Sequence, residues 1–202
     1  MKKVLWALSL ALTVGFTSCS SDDNGGSGSS EDNFLNVNGN NQELKSGLII
    51  DYGNSFTTNF NYDVSLFTQN FNPSNINDPF GGQEFSEVYF ELFTDNADGL
   101  PEGTYQFSNS DDVVGTFTDF SEVSLECTVQ SFMFDCNEYL EITGGTFTVN
   151  SAGSMYDIEF SVTLQGGGTA EGKYVGSLIM MDESDFLMEG ESKQRRQKVV
   201  VE

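Results

Sequence analysis

The ionisable side chains of this 202-residue chain are mostly carboxylates: 31 Asp and Glu stand against 8 Lys and Arg, with no histidine, for a formal net charge of −23. Carboxylates in this number suit hard-cation binding, and two of them flanking a glycosidic bond suit its hydrolysis. Without imidazole, Ser-His-Asp and Cys-His catalysis and histidine-ligated zinc or haem are excluded. The charge repels phosphate backbones, so nucleic acid is excluded as a partner of the usual basic footprint. From Ser46 to Gly172 there is no Lys or Arg, while twenty Asp and Glu lie between Asp51 and Glu171. A Schiff-base lysine, an arginine clamp and a P-loop lysine therefore cannot arise in that stretch.

The acids best placed for a cation are Asp95, Asp98 and Glu102, which share one turn-rich segment, and they are the candidate Ca²⁺ ligands. Their spacing departs from an EF-hand loop, because Ala97 stands third and Gly99 comes one place early, and Asp is a favoured turn residue in any case. No other cofactor is implied. A carboxylate-pair glycosidase is set aside because no local signature singles out two of the twenty acids and no basic residue orients a substrate, so the domain is read as non-catalytic. Glycan binding draws on the tyrosines, but Trp6, the only tryptophan, lies in the leader, and periodicity turns Tyr105, Tyr156 and Tyr174 inward.

Lys2 and Lys3 followed by an apolar run from Val4 to Phe16 have the make-up of an export signal, too short to span a bilayer as a mature helix. The run ends in Phe16-Thr17-Ser18-Cys19, which resembles the lipobox of bacterial lipoproteins; that resemblance implies cleavage after residue 18 and acylation of Cys19. Phe16 departs from the usual aliphatic residue. Residues 19–33 are a polar Gly/Ser tether with no apolar residue to bury, reaching roughly 20 Å. The Asp22-Asp23 pair resembles the signal that sends lipoproteins of the Bacteroidota to the outer face of the outer membrane. With Cys19 acylated, Cys127 and Cys136 remain, and an oxidising envelope permits them to pair, stabilising by about 2–3 kcal/mol; otherwise they are two buried thiols.

The elements that must carry these groups are strands. Apolar residues recur with period two from Phe34 onward. Tyr156, Ile158, Phe160, Val162 and Leu164 are followed by Gly166-Gly167-Gly168 and a return run through Tyr174, Leu178 and Met180, a long hairpin. Val88, Phe90 and Leu92 precede the 95–103 turn segment, with Tyr105 and Phe107 beyond it. Further strands are expected at Phe34–Val37, Gln42–Leu44, Leu48–Tyr52, Phe60–Leu66, Val113–Phe117, Val123–Val129, Tyr139–Ile142 and Phe147–Val149, with Asn38-Gly39 as the first turn. About ten strands with turn signals between them predict an all-β domain, an antiparallel sandwich or closed barrel. The interruption from Gln69 to Gly82 reads as a functional or mobile loop.

Val37-Asn38-Gly39, Leu44-Lys45-Ser46-Gly47, Gly99-Leu100-Pro101-Glu102-Gly103-Thr104-Tyr105 and Gly172-Lys173-Tyr174-Val175-Gly176 resemble small surface lipoproteins of flavobacteria and other Bacteroidota. The resemblance spans nearly the whole mature chain and implies fold and location; its motifs are turns and strands and carry no site residues. The expected organisation is a signal peptide over 1–18, an acylated linker over 19–33, an all-β domain over 34–181 and a charged tail over 182–202. Lys193, Arg195, Arg196 and Lys198 make that tail basic, fit either to a solvated terminus or to lipid phosphates. The expected function is a non-catalytic binding or structural module, held on the outer membrane by its lipid and facing the exterior. A glycan or another envelope protein is its expected partner, and a lipocalin-like carrier of a small ligand is the alternative.

Overall fold

Asn38 and Gly39 take φ of 52° and 88°, the left-handed pair that a two-residue hairpin turn needs, and they join the first two strands. In the computed structural model, which describes residues 33–54, 59–75, 77–110, 112–130 and 133–183, these are β1 (Phe34–Val37) and β2 (Asn40–Glu43). They are followed by β3 (Ser46–Asn54), β4 (Phe60–Phe67), β5 (Phe85–Thr94), β6 (Gly103–Ser108), β7 (Thr116–Thr118) and β8 (Glu122–Gln130). The chain continues through β9 (Met133–Ser151), β10 (Tyr156–Leu164), a 3₁₀ turn at Gln165–Gly167, β11 (Thr169–Gly176) and β12 (Leu178–Asp182). The all-β expectation holds.

The twelve strands form one sheet in the order β12-β3-β4-β5-β7-β6-β9-β10-β11-β1-β2, with β8 bridging β5 and β9. It encloses an apolar interior to which nearly every strand contributes, as a sandwich or barrel-like fold does. Phe90 lies at its centre, with ring centroids 5.3 Å from Phe117, 4.6 Å from Phe147 and 5.4 Å from Phe160. Tyr105, Tyr156 and Tyr174 are buried on that inner face, as their periodicity requires. Two pairings are parallel, β12 with β3 and β6 with β7, so the sheet is mixed and not wholly antiparallel.

Three local readings are corrected. The runs at Tyr139–Ile142 and Phe147–Val149 belong to one nineteen-residue strand, β9. Gly144-Gly145 between them is an irregularity in a continuous strand. A Cβ on Gly145, whose φ is 117°, would come within 2.3 Å of the Ser161 carbonyl, so glycine serves close approach to β10 and not a turn. The return run after the three glycines also divides. β11 completes the hairpin with β10 and stops at Gly176, whereas Leu178 and Met180 leave it to lie parallel to β3. The strand expected at Val113–Phe117 is confined to Thr116–Thr118, and Val113 and Val114 are exposed.

A second apolar cluster sits on the opposite face of β3, β4 and β5. The loop after β4 is pinned by Phe71 and Phe80, which pack on Phe67 and Phe85 (centroids 5.5 Å for Phe67 to Phe71, 3.8 Å for Phe80 to Phe85), with Phe134 4.8 Å from Phe85. Leu48 and Cys127 are buried in the same cluster. These rings give the loop a core of its own.

Candidate functional site

The sequence-derived candidates fall in different places. Cys19 lies outside the described residues. Cys127 and Cys136 face each other directly across β8 and β9, and their sulfurs are bonded at 2.05 Å. Cys127 is fully buried against the aromatic loop, so the bond joins two neighbouring strands at the edge of the outer cluster.

Asp95, Asp98 and Glu102 project from the β5–β6 connection, which two tyrosines hold from the inner side. The Tyr62 hydroxyl donates to the Asn96 carbonyl and accepts the Gly99 amide, both at 3.2 Å, and the Tyr105 hydroxyl donates to the Pro101 carbonyl at 3.2 Å. Burial is the main cause that pushes both phenols up to about 12, with the Asp51 carboxylate adding to the effect at Tyr62. They therefore stay neutral donors. Between the ordinary tyrosine value near 10 and about 12, the unfolded chain releases these protons while the folded chain keeps them, so this anchorage weakens over that window. The three acids are exposed, and Glu102 turns away to accept the Ala152 amide at 3.4 Å. Among the described residues no three acidic or thiol side chains are grouped closely enough to hold a metal ion, so the structure does not assemble the Asp95, Asp98 and Glu102 site.

Two open concavities carry the two cations of the described body. One, of about 320 Å³, lies over the outward residues of β9, β10 and β11. Its floor offers Thr146, Thr148 and Ser161 hydroxyls, the Glu159 and Glu171 carboxylates and the Lys173 ammonium, with Phe34 at one side. Lys173 donates to Glu159 at 2.8 Å and stands 3.8 Å from Asp157; its hydrogen bond is the main cause that holds the Glu159 carboxyl below its ordinary value. The other, of about 330 Å³, is lined by Lys45 with Glu43, Glu84 and Glu126. Hydroxyls, carboxylates and one ammonium on an open floor can hydrogen-bond a polyhydroxyl ligand; neither concavity encloses it.

The outward face of β4 and β5 is different, and the sequence reading missed it. Alternation aims Tyr62, Val64, Leu66, Val88, Phe90 and Leu92 into the main core, yet the intervening residues are buried too. Asp63, Glu87 and Glu91 are 6%, 0% and 1% exposed. Asp63 faces Glu91 in the β4–β5 register. The Glu91 carboxylate accepts the Thr118 hydroxyl at 2.6 Å, and its backbone amide donates to the Ser121 hydroxyl at 3.1 Å. One signal was available: Tyr89 and Phe93 share the parity of Glu87 and Glu91, which an ordinary solvent face does not favour.

No protein-family model, curated protein or solved structure matches this chain.

Proposed function

We propose that the chain is a lipid-anchored outer-membrane protein, facing the exterior, whose β domain acts as a non-catalytic binding or structural module. The observation that carries this reading is Phe16-Thr17-Ser18-Cys19 followed by a Gly/Ser-rich acidic tether, with β1 opening at Phe34, where that tether ends. The resemblance of the leader and of the turn motifs to flavobacterial surface lipoproteins supports the same location. Removal of the leader takes Lys2 and Lys3 and leaves a mature charge of −25.

Within that role, a glycan-binding accessory is the reading that the hydroxyl-rich concavity over β9–β11 favours. An enclosed-ligand carrier is less well supported, because the rings of Phe90, Phe117, Phe147 and Phe160 occupy the interior where such a ligand would lie. Globomycin, or Cys19→Ala, is expected to block maturation and release the protein from membranes; normal processing and retention in that variant refute the anchor. A glycan array separates the two roles. Binding that falls at least about tenfold in Lys173→Ala places recognition at this concavity, whereas a blank array leaves a structural or adhesive module.

A further inference from the structure

We propose that the concavity over β9–β11 takes an uncharged sugar unit, stacked on Phe34 and hydrogen-bonded to the carboxylates beside it, and turns away carboxylated and sulfated glycans. This rests on the glycan-binding reading and names the ligand class of the same site. The strand register lays out its floor. Thr148 pairs with Glu159, Glu159 with Lys173 and Lys173 with Phe34, so one row of outward side chains crosses β9, β10, β11 and β1. Thr146, Ser161, Glu171 and Asn36 form the next row. At about 4.8 Å per strand a row spans about 14 Å, and two residues along a strand set the rows about 7 Å apart. A ligand on this floor lies across the strands and reaches several of them at once.

Phe34 is the residue on these rows that hydroxyl and carboxylate chemistry does not explain. Leu35 and Val37 turn into the main core, so alternation turns Phe34 to the polar side, where it is half-buried opposite Lys173 and lines the concavity. It belongs to neither apolar cluster of the described residues. The concavity around Lys45 has Phe85 as its aromatic residue, and that ring packs on Phe67, Phe80 and Phe134. A sugar ring is amphipathic in the way this floor requires: its C–H face packs on an aromatic face while its hydroxyls reach sideways to acceptors. The volume of about 320 Å³ is at the lower end of the roughly 300–1,000 Å³ of small-ligand sites, which suits a short stretch of glycan on an open surface.

Charge decides which glycan fits. Among the described residues of this wall, Asp157, Glu159 and Glu171 stand against one cation, Lys173, which already donates to Glu159 at 2.8 Å and lies 3.8 Å from Asp157. Ionised carboxylates only accept hydrogen bonds, so they suit a ligand that brings O–H donors. A uronate or sulfate brings further acceptors and negative charge, which sets acceptor against acceptor on the floor. It also approaches a chain that carries no Lys or Arg from Ser46 to Gly172.

The test is affinity electrophoresis of the full-length protein at low salt, through gels carrying a neutral polysaccharide (laminarin, mannan, xylan or dextran) or an anionic one (alginate or carrageenan). At least one neutral polysaccharide is expected to bind, and at least about tenfold more tightly than either anionic one. Phe34→Ala is expected to weaken that binding at least about tenfold, and Phe34→Tyr, which keeps a ring, to recover most of it. Glu171→Lys, a change at an exposed position, is expected to narrow the gap between neutral and anionic polysaccharides at least about threefold, and added salt to narrow it in the unaltered protein. Anionic polysaccharide bound as well as neutral, and lost in Lys173→Ala, overturns the proposal while leaving the glycan reading in place. Neutral binding that Phe34→Ala does not weaken overturns it too. A panel in which nothing binds overturns it together with the glycan reading on which it rests.

Discussion

On β10 the outward positions Glu159, Ser161 and Thr163 stand in solvent and alternate with buried Ile158, Phe160, Val162 and Leu164; on β5, ten consecutive residues are buried, carboxylates included. Both strands belong to the same sheet and both present acids on their outer faces, but the environments differ in kind. Around β10 the acids gather an exposed ammonium, where dielectric screening makes a charge pair worth little. Around β5 they lie between an aromatic cluster and hydroxyl donors, where each lost contact exposes the desolvation penalty of a buried polar group. One sheet thus has a wall that can meet solutes and another built as an internal layer.

Substitutions at matched positions should separate the two walls. The widest gap is expected between Phe85→Ala, which removes a ring touching Phe67, Phe80 and Phe134, and Ser161→Ala on β10. Urea unfolding should show a loss of about 3–5 kcal/mol for the first and under about 0.5 kcal/mol for the second. Equal losses would erase the distinction. Next comes the disulfide: non-reducing peptide mapping should recover Cys127 joined to Cys136, and replacing both by Ala should cost about 2–3 kcal/mol. Two alkylatable thiols in native protein would remove that staple from the covered wall.

Thr118→Val takes a donor from a buried carboxylate and should cost about 2 kcal/mol, while Thr104→Val, which breaks the exposed 3.2 Å contact with Thr148, should stay under about 0.5 kcal/mol. Lys173→Gln should also have a small effect on stability, under about 1 kcal/mol. Its signature lies in pH. Because Lys173 lowers the folded-state value of Glu159, the pair contributes above the ordinary glutamate value and fades as pH falls through the folded one. A carbonyl-detected NMR titration should show Glu159 moving upward in the variant. An unmoved Glu159 would mean that Lys173 does not set the electrostatics of the open wall.

The contrast between the walls also explains which parts of the molecule could be read from residues alone. Tyr156 to Leu164 carries five apolar residues at period two between polar ones, and the strand has those bounds. Asn38-Gly39 combines two residues that tolerate positive φ, and the turn forms there. On β4 the same alternation sets Tyr62, Val64 and Leu66 against Asn61, Asp63 and Ser65, a pattern that resembles a half-exposed strand. Period two states which residues share a face, and it cannot state whether a second layer covers the polar one. Tyr139–Ile142 and Phe147–Val149 read as two strands for a related reason: the residues between them include Gly144-Gly145, and only the partner strand β10 shows that β9 runs through them. The disulfide was accessible from position, since Cys127 and Cys136 are the two cysteines of the expected β domain and lie nine residues apart. Asp95, Asp98 and Glu102 share a loop in sequence, but tyrosine anchors and the Ala152 amide set their directions, and neither is encoded in the spacing of the acids.

The parallel union of β12 with β3 bears on the order in which the protein can acquire its shape. Leu178 meets Gly47 across about 130 positions of chain. Synthesis delivers the N-terminal end first, so β3 and β4 emerge long before the strand that pairs with the β3 edge. Local pairs such as β8 with β9 and β10 with β11 close short loops and can form early. The β3 edge stays unpaired, and open to chaperones, until β12 has been made.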